Sequence, residues 1–343
     1  MAVPSVKTRP AAEPPAAAID WPRFVALVAA HRRFLITSHI KPDCDALGSE
    51  VGLAEVLEAR GKETLVVNAD PTPPHLGFID PKKRIRELGR DVSAADLARC
   101  DALIVVDTNA WGQLGGMADV VRQTAARKLV LDHHVSSDDL GAEEFKDPQA
   151  EATGRLVIDA ADRLGVPLTA EIARPLFAAI ATDTGWFRFP STTGDTYRAV
   201  GRLLDAGAEP ARIYNALYER HTLARVQLMG RILSRAETDL DGRLIHTAAL
   251  REDFDDTGAA YSDTEDLVNT TLAVAGTQVA VFLVEQPTGN CKVSLRSRSD
   301  VDCSKLAEEF GGGGHRAAAG ATLPGPWQEA LARVLDAARA AMQ

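Results

Sequence analysis

The 343-residue chain predicts an α/β fold: a mainly parallel N-terminal sheet with helices on both faces, a helical linker, and a smaller C-terminal α/β domain. Three observations carry that prediction. Short apolar runs alternate with amphipathic stretches through the first half, as in strands joined by helical crossovers. Acidic and histidine side chains follow several of those runs, where parallel sheets collect their ligands. The length suits two domains, and 45% of the residues are apolar, enough for ordinary globular cores.

Taken in order, residues 1–18 are rich in Ala and Pro and lack the continuous apolar core of a secretory signal, so they are expected as a disordered tail. A catalytic domain is expected over 19–190. Its strands fall at 33–38, 63–68, 102–107 and 127–132, and its first helices at 46–60, 94–100, 113–125 and 151–164. Connections of this length suit right-handed crossovers. Helical periodicity then fills 169–181, 193–206, 209–219 and 222–236, punctuated by Gly207 and Pro210, with 191–236 read as the linker. The second domain, 237–343, is expected to carry strands at 243–250, 277–285 and 290–298 and helices at 263–275, 302–309 and 326–342. No internal repeat is present.

Charge and cysteine usage narrow the function. A net charge of −10 argues against coating long duplex DNA, whose affinity needs many cationic contacts. It permits a small anionic substrate held by metals and a few local cations. Four scattered cysteines, Cys44, Cys100, Cys291 and Cys303, fit neither a disulfide framework nor a zinc ribbon and suit a reducing cytoplasm. No apolar run reaches membrane-spanning length.

The chemistry lies in four segments. Phe34–Thr37 runs into Ser38-His39-Ile40-Lys41-Pro42-Asp43-Cys44-Asp45. If that segment stays extended, Asp43 and Asp45 point one way and Cys44 the other; a solvated turn is the alternative. Asp107 follows Leu103–Val106, Asp132-His133-His134 closes Lys128–Leu131, and Asp183 follows Phe177–Ala181, so all are placed at strand ends. Asp107 alone could be a helix cap and Asp183 plain turn chemistry. Adjacent histidines after a buried strand have no obvious structural role, and Asp132 is placed to orient an imidazole. Carboxylates mixed with imidazoles suit Mn²⁺ or Mg²⁺.

These motifs resemble the DHH phosphoesterase superfamily over nearly the whole chain from about residue 19: His39–Ser49, Val106-Asp107-Thr108, Asp132-His133-His134 and Thr182-Asp183-Thr184-Gly185. The resemblance implies two metal ions. One is held by His39, Asp43 and Asp107, the other by Asp45, Asp107, His133 and Asp183, with Asp107 bridging. It makes Asp107 and His134 catalytic, His134 contacting the scissile phosphate or assisting the leaving group. No ligand position departs from the family pattern, which argues against a non-catalytic nucleotide binder.

In the second domain, Gly311–Gly314 precedes His315, and Cys291–Arg298 alternates so that Lys292, Ser294, Arg296 and Arg298 share one face. A glycine run exposes backbone N–H groups and permits positive φ, so it can wrap an anion. A flexible loop and a solvated strand face are the bland alternatives. The pair resembles the DHH-associated C-terminal domain. That implies substrate contacts from Ser294, Arg296, Arg298, Gly312, Gly313, Gly314 and His315, and Arg suits phosphate through its two-pronged donor geometry. The plan is similar to that of the stand-alone nanoRNase/pAp phosphatases. It differs from the pyrophosphatases and the longer RecJ-type exonucleases of the superfamily.

The expected activity is hydrolysis of short single-stranded oligonucleotides to 5′-mononucleotides, and of nucleoside bisphosphates such as 3′-phosphoadenosine 5′-phosphate, with two Mn²⁺ (or Mg²⁺) in the cytoplasm. Cleavage of linear or cyclic dinucleotide messengers is the alternative, followed by single-strand DNA exonuclease action. Membranes and long duplex DNA are excluded as partners, and a homodimer stays open. A dinucleotide-cofactor oxidoreductase fails, because His39–Ser49 follows the first strand where spaced glycines would be needed.

Overall fold

A computed structural model describes residues 19–265 and 267–343; the expected tail at 1–18 lies outside them. Two units divide after Glu219.

The first unit is built on six parallel strands: β1 (Arg33–Thr37), β2 (Glu63–Asn68), β3 (Ile85–Glu87), β4 (Ala102–Val106), β5 (Arg127–Asp132) and β6 (Glu143–Lys146). Their order is β3-β2-β1-β4-β5-β6. The chain leaves the sheet centre in both directions, so β1 and β4 lie side by side with their carboxyl ends together. Both faces are covered, which explains why the central strands read as continuous apolar runs. Phe34, Ile36, Ile104, Val106, Leu129 and Leu131 face one core; Leu35, Leu103, Val105 and Val130 face the other.

Eight helices belong to this unit among the described residues: α1 (Trp21–Ala30), α2 (Cys44–Ala59), α3 (Ala94–Leu97), α4 (Met117–Gln123), α5 (Thr153–Leu164), α6 (Ala170–Asp183), α7 (Gly194–Asp205) and α8 (Pro210–Tyr218). α1, α2, α5 and α6 build the larger core, and α3 and α4 cover the opposite face. α2 is buried along thirteen of its sixteen residues, so it shows no amphipathic stripe. It packs on α6 at close range: a Cβ at Gly48 would lie 2.4 Å from the Pro175 carbonyl oxygen, and one at Gly52 would lie 2.5 Å from Leu176 Cδ2. Helices from the expected 191–236 stretch divide between the units. Ala199, Val200 and Leu203 of α7 and Ile213 of α8 complete the first core.

The second unit begins with α9 (Leu223–Ser234) and holds β7 (Glu237–Asp239), β8 (Leu244–Ala249), α10 (Arg251–Thr257), α11 (Leu267–Leu272), β9 (Val279–Glu285) and β10 (Asn290–Ser297). It ends with α12 (Cys303–Glu308), β11 (Gly313–His315), β12 (Ala318–Pro324) and α13 (Trp327–Ala341). The sheet order is β11-β12-β10-β9-β8-β7, antiparallel except for β8 with β9. α12 and α13 pack on the face carrying Val293 and Leu295, while α9, α10 and α11 cover Ala280, Phe282 and Val284 on the other.

The sequence reading located the long buried strands. It missed β3, β6, β7, β11 and β12, as well as α1 and α10, and the helix expected at 263–275 shortens to α11. Short, partly exposed edge strands carry no apolar run, and β11 and β12 are made mostly of Gly and Ala. The described helices include none long and apolar enough to cross a membrane.

The α2–α6 contact gives a paired stability test. Gly48→Ala should destabilise by about 1–3 kcal/mol, because the new methyl meets backbone that cannot retreat. Gly201→Ala, mid-helix in α7 with nothing within 4 Å of the added Cβ, should be neutral or gain up to about 1 kcal/mol. Thermal unfolding of the two variants checks both signs.

Candidate metal centre

Six expected ligand side chains converge at the carboxyl ends of β1, β4 and β5. Beyond β1, His39 Nδ1 lies 2.8 Å from the Ile40 carbonyl, so that nitrogen carries the proton and Nε2 keeps its lone pair. Nε2 sits 3.4 Å from Asp107 Oδ2 and 3.9 Å from Asp43 Oδ1. His133 repeats the device: Nδ1 is 3.1 Å from the Ala150 carbonyl. Its Nε2 stands 3.5 Å from Asp183 Oδ2, 3.6 Å from Asp107 Oδ1 and 3.8 Å from Asp45 Oδ2.

Two local expectations need correction. The segment after Pro42 is not extended. Asp43 is the N-cap of α2, its Oδ1 accepting from the Asp45 and Ala46 N–H groups at 3.0 Å, and Asp45 lies in the first helical turn. Asp183 does not end a strand; it is the last residue of α6. The apolar stretch before it lies in the helix expected at 169–181, so it is the placement of Asp183 at a strand end that is corrected.

Three groups of donor atoms are close enough to hold an ion: His39 with Asp43 and Asp107; Asp45 with His133 and Asp183; and Asp107 with His133 and His134. Asp107 belongs to two of them. Its φ of +61° turns the chain sharply beyond β4, a conformation that Asp tolerates better than most residues. Thr153 Oγ1 donates to Asp107 Oδ1 at 2.9 Å. Asp45 is almost wholly buried and accepts from the Thr153 N–H (2.7 Å), the Gly154 N–H (2.9 Å) and Ser49 Oγ (3.1 Å).

The electrostatics of this cluster are adverse without cations. Burial, and then the nearby Asp45 and Asp43 carboxylates, push the Asp107 carboxyl well above its ordinary range. Burial raises Asp45 as well, and burial with Asp45 pushes Asp183 up to about 7. Carboxylates crowded together out of water resist ionising unless positive charge is supplied, and oxygen-rich sites with imidazole suit Mn²⁺ or Mg²⁺. The donor set therefore fits divalent ions. Cys44 takes no part: burial pushes its thiol up to about 12, and it packs in the core.

His134 is arranged differently. Its ring is half exposed, and Nδ1 lies 2.8 Å from Oδ1 of the fully buried Asp132, which also accepts the His134 backbone N–H at 3.1 Å. Burial acts to raise Asp132, but the His134 bonds and Lys146 outweigh it and hold the carboxyl below its ordinary range. The bond to Asp132 raises His134 in turn.

Sequence reasoning missed Thr153 and Gly154, which hold Asp45 and Asp107 at the start of α5; Thr at a helix start reads only as a cap. It also missed a buried line beneath His39. The Ser38 N–H donates to Asn68 Oδ1 (3.1 Å), and Asn68 Nδ2 donates to Glu50 Oε2 (2.9 Å). Glu50 is fully buried, and burial pushes it up to about 8.

In the second unit, Lys292, Ser294 and Arg296 alternate with the buried Val293 and Leu295 as expected. Arg296 and His315 both pair with Ala318 across the ladder, so they lie in one row, as do Ser294, Gly320 and Gly313. Arg298 is exposed just past the end of β10. The glycine run is not a free loop: Gly313 and Gly314 belong to β11. Gly311 (φ +72°) and Gly314 (φ +147°) adopt positive φ. A Cβ at Gly312 would lie 2.2 Å from the Gly320 carbonyl oxygen, and one at Gly314 would lie 2.6 Å from Ala319 Cα. These glycines permit close strand approach at the sheet edge.

Fold and site together define a phosphoesterase class built on clustered carboxylates and imidazoles. The chain belongs to the DHH family: residues 33–180 match the DHH family N-terminal domain and 245–343 match the DHHA1 domain. It is 37% identical over 312 residues to the bifunctional oligoribonuclease and PAP phosphatase NrnA of Thermus thermophilus, covering 89% of this chain and 88% of that protein. An exopolyphosphatase-related protein from Bacteroides fragilis superposes with a TM-score of 0.84 at 28% identity, covering 92% of this chain and 94% of the other. Exonuclease RecJ bound to manganese shares the fold at a TM-score of 0.54 and 16% identity, over 94% of this chain and 96% of the other.

Two outcomes test this geometry. Thr153→Val removes the hydroxyl bond to Asp107 but leaves the six candidate ligands in place. It should weaken Mn²⁺ binding by roughly ten- to a hundredfold in calorimetric titration. Glu50→Gln tests the buried acid. A carboxyl whose folded pKa exceeds its unfolded value costs stability increasingly as pH rises between the two. The variant should therefore gain on the wild type from about pH 4.5, the ordinary value, to about pH 8, and the gap should stay constant above that. Denaturant unfolding at stepped pH measures it.

Proposed function

We propose that this chain is a divalent-metal-dependent phosphohydrolase that degrades very short oligonucleotides to 5′-mononucleotides and dephosphorylates 3′-phosphoadenosine 5′-phosphate to AMP. The observation that carries the reading is Asp107. A single buried carboxylate shared by two donor groups is what a pair of neighbouring ions requires. The activity named for the T. thermophilus relative supports the choice of substrate.

In this reading His39, Asp43 and Asp107 hold one ion, and Asp45, Asp107, His133 and Asp183 hold the other. Bound divalent ions supply Lewis-acid stabilisation of phosphoryl oxygens and ease the deprotonation of water. The protein's own groups do the rest. The carbonyls of Ile40 and Ala150 fix the histidine tautomers, so both Nε2 atoms face the cluster with free lone pairs. Thr153 and Gly154 hold the carboxylates against mutual repulsion. His134, with Nδ1–H committed to Asp132, presents Nε2 on the open side, where it can meet the scissile phosphate or the departing 3′-oxygen. Ser294, Arg296, Arg298, His315 and the Gly312–Gly314 backbone are assigned to the substrate's phosphates and nucleotide. Preorganised donors of this kind stabilise charge as it develops.

Short single-stranded oligonucleotides and nucleoside bisphosphates are then the partners, in the cytoplasm, and the net charge of −10 argues against long duplex DNA. A homodimer is consistent with the reading but is not required by it.

A substrate panel with Mn²⁺ decides the matter: dinucleotides, longer oligomers, 3′-phosphoadenosine 5′-phosphate and cyclic dinucleotides, each with wild type and Asp107→Ala. Mononucleotide release from dinucleotides and AMP from the bisphosphate are expected. Asp107→Ala should lose activity by roughly a thousandfold or more, an effect of about 4 kcal/mol on the barrier, with an unchanged circular dichroism spectrum. Near wild-type turnover by that variant, or silence of the wild type on the whole panel, would refute the assignment.

A further inference from the structure

β6 carries a lysine, Lys146, beside the Asp132–His134 pair. The ladder pairs Lys146 with Asp132 across β5 and β6, so the two side chains emerge beside each other on the same face. The Lys146 side chain is only 10% exposed, and its Nζ lies 3.2 Å from Asp132 Oδ2. Nζ also donates to the Ser136 carbonyl at 2.8 Å and to Ser137 Oγ at 2.5 Å. Nζ thus has two hydrogen-bond acceptors in the loop and an ion-pair contact with Asp132. Asp132 is fully buried, its Oδ1 is committed to His134, and Oδ2 has no hydrogen-bond partner among the described residues apart from this ion pair.

We infer that Lys146 is a positioning residue for His134: it fixes the Asp132 carboxylate and the chain just after His134, and so sets where the His134 imidazole stands beside the metal cluster. This deepens the proposed function and rests on it for the role of His134.

A buried carboxylate gripped at one oxygen can still turn about its χ2 bond, and the imidazole attached to it turns as well. A second grip on the other oxygen removes that freedom. The same ammonium ties residues 136 and 137, so the chain on the far side of His134 is anchored to the same point. The loop is held independently from β4: Asn109 Nδ2 donates to Ser137 Oγ (3.1 Å) and to Glu144 Oε1 (2.9 Å). The Asp138 N–H donates to the Asn109 carbonyl at 2.7 Å. With those braces in place, loss of Lys146 loosens His134 without unfolding the loop. Methionine keeps the apolar stem of Lys146 and removes its charge and donors, while arginine keeps the charge.

The test is a cycle of Lys146→Met, His134→Ala and the double variant in the full-length protein with Mn²⁺ and a dinucleotide. Lys146→Met should lower kcat about tenfold or more, with Mn²⁺ affinity unchanged. In the His134→Ala background the same change should cost less than about twofold, and Lys146→Arg should recover most of the loss. A purely structural lysine would instead cost the same factor in both backgrounds, and that outcome overturns the inference. So does wild-type kcat in Lys146→Met. A second readout needs no turnover: imidazole ¹⁵N–¹H correlation spectra of the Mg²⁺-loaded protein. The wild type should show His134 as a single Nδ1–H tautomer, and Lys146→Met should show it averaged between tautomers. An unchanged His134 signal refutes the inference even if the wild type hydrolyses nothing on the panel, which would refute the proposed function alone.

Discussion

Repulsion among buried carboxylates is the constraint on which the rest of this structure depends. Asp45 and Asp107 are nearly inaccessible to water, Asp43 stands within reach of His39, and Asp183 within reach of His133. A fold optimised for stability alone would disperse them. The groups around them are arranged instead to make the cluster bearable. Backbone N–H groups at the start of α5 meet Asp45, and those at the start of α2 meet Asp43. Both helix starts carry partial positive charge, so the macrodipoles favour the anions they face. These terms lessen the repulsion but do not neutralise it: Asp107 and Asp183 remain well above their ordinary range. The remainder is the binding free energy available to a cation.

The sheet order explains how the cluster can assemble at all. β1 and β4 are neighbours at the centre, and the chain departs from them in opposite directions. His39 and Asp107 therefore leave adjacent strands at the same end, as ligands in doubly wound sheets do. His133 follows from β5 one strand over. The other three carboxylates arrive on helices, Asp43 and Asp45 at the start of α2 and Asp183 at the end of α6. Those helices can come near only because Gly48 and Gly52 lack side chains. The glycines in the Asp45–Gly52 stretch are thus part of what brings the carboxylate cluster together.

The sequence made the chemistry more legible than the frame that carries it. The candidate ligands followed from residue types that have no good structural reason to be where they are, such as two adjacent histidines after a buried strand. Buried central strands were legible because both faces need apolar side chains. What stayed hidden was whatever depends on partners distant in sequence. Thr153 bonds Asp45 and Asp107 from more than forty residues away, and Asn68 and Glu50 support Ser38 through the sheet; nothing local marks them. The backbone state at Asp43–Asp45 stayed open between an extended segment and a turn, because a cap and an extended strand end look alike in sequence. The glycine run before His315 was read as an anion cradle. Its other role, allowing β11 to press against β12, requires knowledge of the neighbouring strand.

The backbone itself records the demands of the site. Seven described non-glycine residues have positive φ, and four of them, Lys41, Asp107, Trp186 and Phe187, lie in or next to segments that carry a candidate ligand. Left-handed conformations cost free energy for residues with a Cβ and persist only where surroundings over-determine them. At Lys41 the surroundings are visible: its N–H donates to Asp70 Oδ2 at 2.8 Å, and the preceding Ile40 N–H donates to the Gln113 carbonyl at 2.6 Å. Glycine at position 107 would relieve the strain and delete the shared carboxylate. Asparagine would tolerate the turn but carry no charge to set against the cations. Aspartate is the residue that tolerates a left-handed turn and still supplies two anionic oxygens, one toward His39 and one toward His133. The strain at Asp107 is thus the local consequence of asking one side chain to serve both halves of the cluster.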